Sequence, residues 1–441
     1  MSIVVAIIIF SAVVIFHEFG HFIFAKMNGV TVVEFSVGMG PRIISFEAGG
    51  TRYSLKVFPF GGSCAMLGED EDMVKEGSFN SKNIWQRMSI VFAGPFFNFI
   101  LAFFLSVILI HYTGVRVPDI SIISEETPAY QVGLRQGDRI VKYNGTRIRM
   151  AKEIELENLI NPSDGSEIEI EYLRDGKKNT VRYTPNKRYI IGVQYNKNAT
   201  IEDFPEKSPA KNAGLMKEDK IVSIDGNMIA SGIELTEYIQ LHPWIDREYV
   251  IGVERNGEFM EFKMTPEVSK TDFKNKTEYN MGFSLSDEEK QGVLGTVKYS
   301  FWEMKFEVNM VLKSLGMLVT GNVSADQLSG PVGLVDEIGK VYDDNKQEGI
   351  WVTLMSMISL TILLSANLGV MNLLPIPALD GGRLFIYIIE VIRRKPMDRE
   401  KEGMIHLVGF ILLMILMVFL LVNDVRKLDF SGLIHFFKIA N

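Results

Sequence analysis

The chain has 441 residues, 47% of them hydrophobic and 23% charged, with a net charge of −8 and one cysteine. A positive mean hydropathy (+0.13) beside an ordinary charged fraction means that apolar blocks alternate with polar domains, which argues against a soluble single-domain enzyme. The acidic balance argues against nucleic acid as a partner, and Cys64, being alone, excludes an intrachain disulfide framework or a multi-cysteine metal site.

In chain order, four stretches approach the roughly 20 apolar residues that a bilayer span needs. The first (residues 1–26) is interrupted by His17, Glu18 and His21, and it lacks the basic start of a signal peptide. Residues 27–62 read as a membrane-associated β-region, with period-two alternation over Arg52–Val57 and a Gly49-Gly50 turn. A loop over 63–88 carries the acidic run Glu69–Asp72, read as a solvated face, and the second span covers 89–112. The third span covers 350–374, a Pro- and Gly-rich segment 375–392, and the fourth span 404–422. Arg383, Arg393, Arg394, Lys395, Arg399 and Lys401 follow the third span, so the positive-inside rule puts that loop and loop 63–88 in the cytoplasm, with both termini and residues 114–349 outside.

The segment between spans two and three contains a repeat. Pro128-Ala129, Gly133-Leu134, Gly137-Asp138, Ile140-Val141 and Gly145 recur, 81 positions on, as Pro209-Ala210, Gly214-Leu215, Glu218-Asp219, Ile221-Val222 and Gly226. Each copy ends in a hairpin turning at Asp175-Gly176 or Asn256-Gly257. The pattern resembles the bacterial type of PDZ domain, in tandem over 115–188 and 189–268. Glu218 departs from it, standing where glycine is usual. A polar linker (269–296) and an amphipathic helix (297–319) follow. That helix is too charged to span, and is expected to lie along the membrane interface or to pack on the repeat. The expected fold is therefore a polytopic α-helical membrane protein of four spans, with a β-region and two extracytoplasmic α+β PDZ domains.

His17-Glu18-Phe19-Gly20-His21 carries the chemistry. Residues i and i+4 share a helix face, so both imidazoles reach one ion, and Glu18 beside them is placed to take a proton from an attacking water. Ionisable groups inside an apolar span are expensive and functional by default, although the three could satisfy one another in a bundle core. Zinc suits two imidazoles and a carboxylate. Among the spans, the carboxylate that stands out is Asp380, after Pro375 and Pro377 and before Gly381-Gly382. It could also be an N-cap for the helix beginning near Arg383.

HExxH in the first span, Gly94-Pro95-xx-Asn98 in the second and Leu379-Asp380-Gly381 after the third resemble the site-2 protease family of intramembrane zinc metalloproteases. With the tandem repeat, the likeness is to the bacterial regulator-of-sigma-E type. The resemblance implies zinc held by His17, His21 and Asp380, with Glu18 as general base and acid. It implies substrate contacts at Asn372, Pro375 and Pro377 and near Asn98, and a β-region that holds substrate extended. Expected partners are the lipid bilayer and single-span membrane proteins such as a trimmed anti-sigma factor or remnant signal peptides, cut in a bacterial inner membrane. Ile190-Ile191-Gly192-Val193 is either a carboxylate-binding loop, with Gly192 at its centre, for a carboxyl-terminal peptide or an edge strand. Arg383 stands where close relatives often have histidine. A membrane metal transporter and a non-catalytic PDZ scaffold are the competing readings. No GxSxG elbow or Walker A loop points to another enzyme class.

Overall fold

The computed structural model describes residues 2–69, 75–205, 207–270, 276–321, 328–346 and 348–427. Of the acidic run Glu69–Asp72, only Glu69 falls within them. The chain divides into two units, Met1–Gly114 with Lys290–Asn441, and Val115–Glu289.

The first unit is a helical bundle with a β-hairpin. Its helices are α1 (Ser2–Met27), α2 (Ile84–Thr113), α3 (Val293–Val319), α4 (Pro331–Asn345), α5 (Ile350–Leu373), α6 (Asp380–Arg393) and α7 (Arg399–Lys427). Among the described residues, α1, α2, α5 and α7 are the four long and apolar enough to cross a membrane, as hydropathy predicts. α2 starts five residues before the expected span because Asn83 and Gln86 form a reciprocal capping box at Ile84. α7 is the outlier in packing: only 6% of its most apolar stretch is covered by protein, against 50% for α5.

The β-region is a hairpin of two long strands, β1 (Val32–Ala48) and β2 (Thr51–Met66), turning at Gly49 and Gly50, both with positive φ. Each strand doubles back on itself. Residues 32–37 pair with 62–66 on one side and with 52–55 on the other, and 44–48 pair with 51–55. Residues 62–66 therefore form one edge, and among the described residues no strand pairs with their outer side. β2 runs four residues beyond the expected end of the β-region.

Two further findings revise the sequence reading. α3 packs on the spanning helices α2 and α5 rather than along a free interface. Its buried stripe of Thr296, Ser300, Glu303, Glu307 and Val311 has helical spacing. α4 was not anticipated, and it packs on α1, α5 and α7. Its N-terminus is held by Asp424 of α7, whose carboxylate accepts from the Gly330 and Gly333 amides, both at 2.8 Å. Four orphan N–H groups at a helix start need such a partner.

The second unit repeats one plan. Four-stranded antiparallel sheets form over Arg139–Tyr183 and Lys220–Met264 with the same strand order, each with a ten-residue helix, Ala151–Ile160 or Gly232–Leu241. The repeated aspartate is structural. Asp138 binds Arg174 through two bonds of 2.7 Å, Asp219 does the same with Arg255, and both carboxylates are 1% exposed. Each arginine also donates to the glycine carbonyl of its repeat, Gly133 or Gly214. Glu218 adopts φ 73°, close to the 86° of Gly137, so the turn is kept despite the side chain. The segment read as a linker supplies strands: Tyr279–Asn280 pairs with Asn186–Lys187, Phe283–Leu285 with Ile120–Ile123, and Glu288–Glu289 with Val115–Arg116. The second copy is thus inserted within the first.

Candidate metal centre

His17 and His21 lie one helical turn apart on α1 with rings edge to face, and are 7% and 8% exposed. Their Nε2 atoms are 3.2 Å apart, and Asp380 Oδ2 lies 3.2 Å from the first and 3.4 Å from the second, yet takes part in no hydrogen bond. The three atoms form a near-equilateral triangle instead of pairing. A tetrahedral zinc with bonds of about 2.0–2.1 Å sets its ligand atoms about 3.3–3.4 Å apart, so the donor set and its spacing fit that ion.

The loop before α6 brings the carboxylate there. Pro375 and Pro377 deny the chain a helical ladder, and the backbone wraps over Gly381 and Gly382. Any Cβ on those glycines would collide with the carbonyls of Leu373, Leu374 or Ile376. Leu379 is the N-cap of α6, and Asp380 is its first helical residue. Asp380 therefore does not serve as the N-cap, the other role its position allowed.

The outer nitrogens of the two imidazoles are also held. His21 Nδ1 donates to the Ile90 carbonyl at 2.9 Å. This leaves the His21 Nε2 lone pair free for a metal. His17 Nδ1 lies 3.1 Å from the Asn98 amide nitrogen, while Asn98 Oδ1 is buried without a partner. The two ends of an amide are interchangeable in placement. Turning it lets Oδ1 accept from His17 Nδ1–H, the tautomer a ligating Nε2 requires. Ser365 of α5 fixes the Asn98 backbone by donating to its carbonyl at 2.8 Å. The sequence reading placed Asn98 among substrate contacts; the structure sets it against His17. Gly94 allows this approach, since both imidazoles occupy the space that a Cβ there would take.

Glu18 faces a cavity of about 580 Å³ that it lines with His17, His21, Asp380, Cys64 and Arg383. Cys64 lines the cavity with it, and Gly62 packs on its stem, so the open sheet edge 62–66 runs beside it. Arg383 is paired with Glu69 at this cavity. The expected substrate residues separate. Asn372 lines the cavity. Pro375 lines a different, apolar groove of about 500 Å³ with Trp85, Phe92 and Phe385. Pro377 lies under Gly409 of α7. Sequence reasoning missed His406, which lines the cavity from α7. The signal was available, an ionisable side chain inside the fourth apolar stretch.

In the second unit, Gly192 has φ 69° and lies in a groove of about 280 Å³ with Tyr195, Ile239 and Trp244. It is a turn rather than part of an edge strand, and Ser208 Oγ donates to its carbonyl. Gly282, with φ 87°, takes the corresponding place in the first copy, accepting from Thr127 Oγ1.

Two imidazoles and a carboxylate converging among membrane-length helices, with a glutamate at the cavity wall, define a zinc metalloprotease of the membrane. Residues 5–416 match Peptidase family M50, and the chain belongs to that family. It is similar to "Zinc metalloprotease RasP" of Geobacillus kaustophilus (strain HTA426), 31% identical over 450 residues covering 97% of this chain and 98% of that one. It is also 31% identical to "Regulator of sigma-W protease RasP" of Bacillus subtilis (strain 168), over 97% and 99% of the two chains. "Zinc metalloprotease RasP" of Bacillus licheniformis matches at 31% with the same coverage. The family expectation holds. One of these relatives, that of Bacillus subtilis, carries a sigma-W name where sigma-E was the expected type.

Proposed function

We propose that this zinc metalloprotease hydrolyses peptide bonds within the membrane-spanning segments of single-pass proteins. The observation that carries the reading is the convergence of His17, His21 and Asp380 inside the helical bundle, with Glu18 beside them and an open strand edge along the same cavity. His17 Nε2, His21 Nε2 and Asp380 Oδ2 would hold the zinc. What the bound ion supplies is Lewis acidity toward a carbonyl and a more acidic water. Glu18 would take a proton from the attacking water and return it to the leaving amine, a role that needs a carboxylate within hydrogen-bond reach. Asn98 and the Ile90 carbonyl orient the two imidazoles. The edge 62–66 pairs with substrate backbone, compensating groups released when a helix unwinds.

The substrate class is a trimmed anti-sigma factor or a remnant signal peptide. Residues 115–289 form a nested PDZ pair outside the cytoplasm, and the catalytic cavity opens toward the basic, cytoplasmic loop. The pair acts as a size filter or captures a new carboxyl terminus in the Gly192 groove. Glu18→Gln is expected to retain zinc and to lose cleavage of a single-span substrate while co-purifying with it; undiminished cleavage refutes the mechanism. Deleting the whole unit, residues 115–289, should admit untrimmed substrate, and continued exclusion removes the filter role.

A further inference from the structure

Two residues before Asp380, Ala378 has φ +77°, in the left-handed region that a side chain with a Cβ seldom occupies. Its N–H donates to His406 Nδ1 at 3.0 Å. The imidazole comes from α7, the span helix least covered by protein. The next residues of the same helix close on the same loop: a Cβ at Gly409 would come within 2.6 Å of the Pro377 carbonyl carbon. His406 Nε2 is buried without a hydrogen-bond partner, with Glu402 Oε1 4.0 Å away. A lone ionisable ring in an apolar span, with one nitrogen unpaired, is costly. Its other nitrogen is spent on one backbone amide.

We propose that His406 is a positioning residue for the metal centre, holding Ala378 in its left-handed conformation and so setting where Asp380 enters α6. The inference rests on reading Asp380 as a ligand. Its physical content is local. Accepting from Ala378 N–H requires a neutral ring with its proton on Nε2. Without that acceptor, Ala378 relaxes to negative φ, and the two residues between it and α6 turn with it. Ligand atoms tolerate displacements of only about 0.2 Å, so a small change in the loop reaches the metal.

The test uses the full-length, detergent-solubilised protein, with zinc affinity measured by competition against a chromogenic chelator, and kcat and KM for a single-span substrate. His406→Leu should weaken zinc binding about tenfold and lower kcat with KM little changed. His406→Asn, whose Oδ1 occupies the place of Nδ1, should stay near the parent. Ala378→Gly should restore His406→Leu, because glycine takes positive φ without strain, whereas packing lost from α7 would not be restored by it. Parent-like zinc affinity in His406→Leu overturns the proposal, as does a loss that neither His406→Asn nor Ala378→Gly restores. Asp380→Asn is the reference. If it binds zinc like the parent, the ligand reading itself fails; if it loses zinc while His406→Leu does not, only the role of His406 falls.

Discussion

Gly94→Ala should weaken zinc binding about 100-fold or more while leaving the helix intact. In an ordinary helix interior this exchange stabilises by about 0.5–1 kcal/mol, because alanine has less backbone freedom to lose. At this position the sign reverses. A Cβ would lie 2.9 Å from His17 Cε1, 2.5 Å from His21 Cε1 and closer still to His21 Nε2, where ordinary contact begins at 3.4 Å. The His21 ring must retreat by more than about 0.9 Å, or α1 and α2 must separate. Overpacking of this kind costs about 1–3 kcal/mol, which the bundle survives. A ligand displaced by four times the usual tolerance does not bind, and a fall in zinc affinity of about 100-fold or more is expected. The assay is zinc content after dialysis against a chelator, with far-ultraviolet circular dichroism to show unchanged helicity. Full zinc stoichiometry with normal cleavage would refute the packing argument, since it would mean that the two imidazoles need not lie on Gly94.

Asn98→Leu should lower zinc affinity about 10–100-fold, whereas Asn98→Asp, which keeps an acceptor for His17 Nδ1–H, should retain most of it. A change confined to KM would instead favour a substrate contact. Glu218→Gly should stabilise the second repeat by about 0.4–1 kcal/mol, read as slower amide exchange over residues 220–264, since its φ of 73° strains any residue with a Cβ. Glu34 is held down to about 2, chiefly by the Arg42 guanidinium at 2.7 Å, against some burial and with help from Ser54 and Lys56. Its folded value is below the ordinary carboxyl range, so its contribution to the hairpin is complete above about pH 4.5 and lost as the pH falls toward 2. Arg42→Ala should raise the pH at which pepsin begins to cut the β-region.

The candidate ligand set was legible because chemistry in an apolar span is conspicuous. Histidines at 17 and 21 with a glutamate between them, and one aspartate in a proline-broken segment, are too costly to keep in a bilayer unless they bind something. The hairpin turn was equally plain, since two consecutive glycines between alternating strands leave little choice. Contacts that depend on two elements meeting were not legible. Nothing local in α2 says that Asn98 points at His17, and Gly94 looks like any helical glycine until α1 lies on it. Residues 276–289 are polar and short in pattern, and become strands only because residues 115–187 offer them edges. α4 carries too many charges to suggest a packed helix, and its start is capped from a side chain 91 positions away.

The size of the cavity bears on how a helical substrate is cut. One turn of α-helix, 5.4 Å long and about 10–12 Å across with side chains, fills about 420–610 Å³. A cavity of about 580 Å³ is of that order, far short of the roughly 20 residues of a spanning helix. Most of such a substrate must stay outside while a few residues enter. Inside a helix, those residues would present their peptide groups to each other rather than to Glu18. As a strand, five of them extend about 17 Å, the length of edge 62–66, whose outer side has no partner among the described strands. The edge lies against Glu18 through Cys64 and Gly62, so a strand added there passes the ligand triangle with its backbone exposed. Substrates whose spans contain helix-breaking residues should accordingly be cut faster. Introducing Gly-Pro at the scissile turn of a resistant span should raise kcat/KM, and an unchanged rate would mean that unwinding is not what the cavity demands.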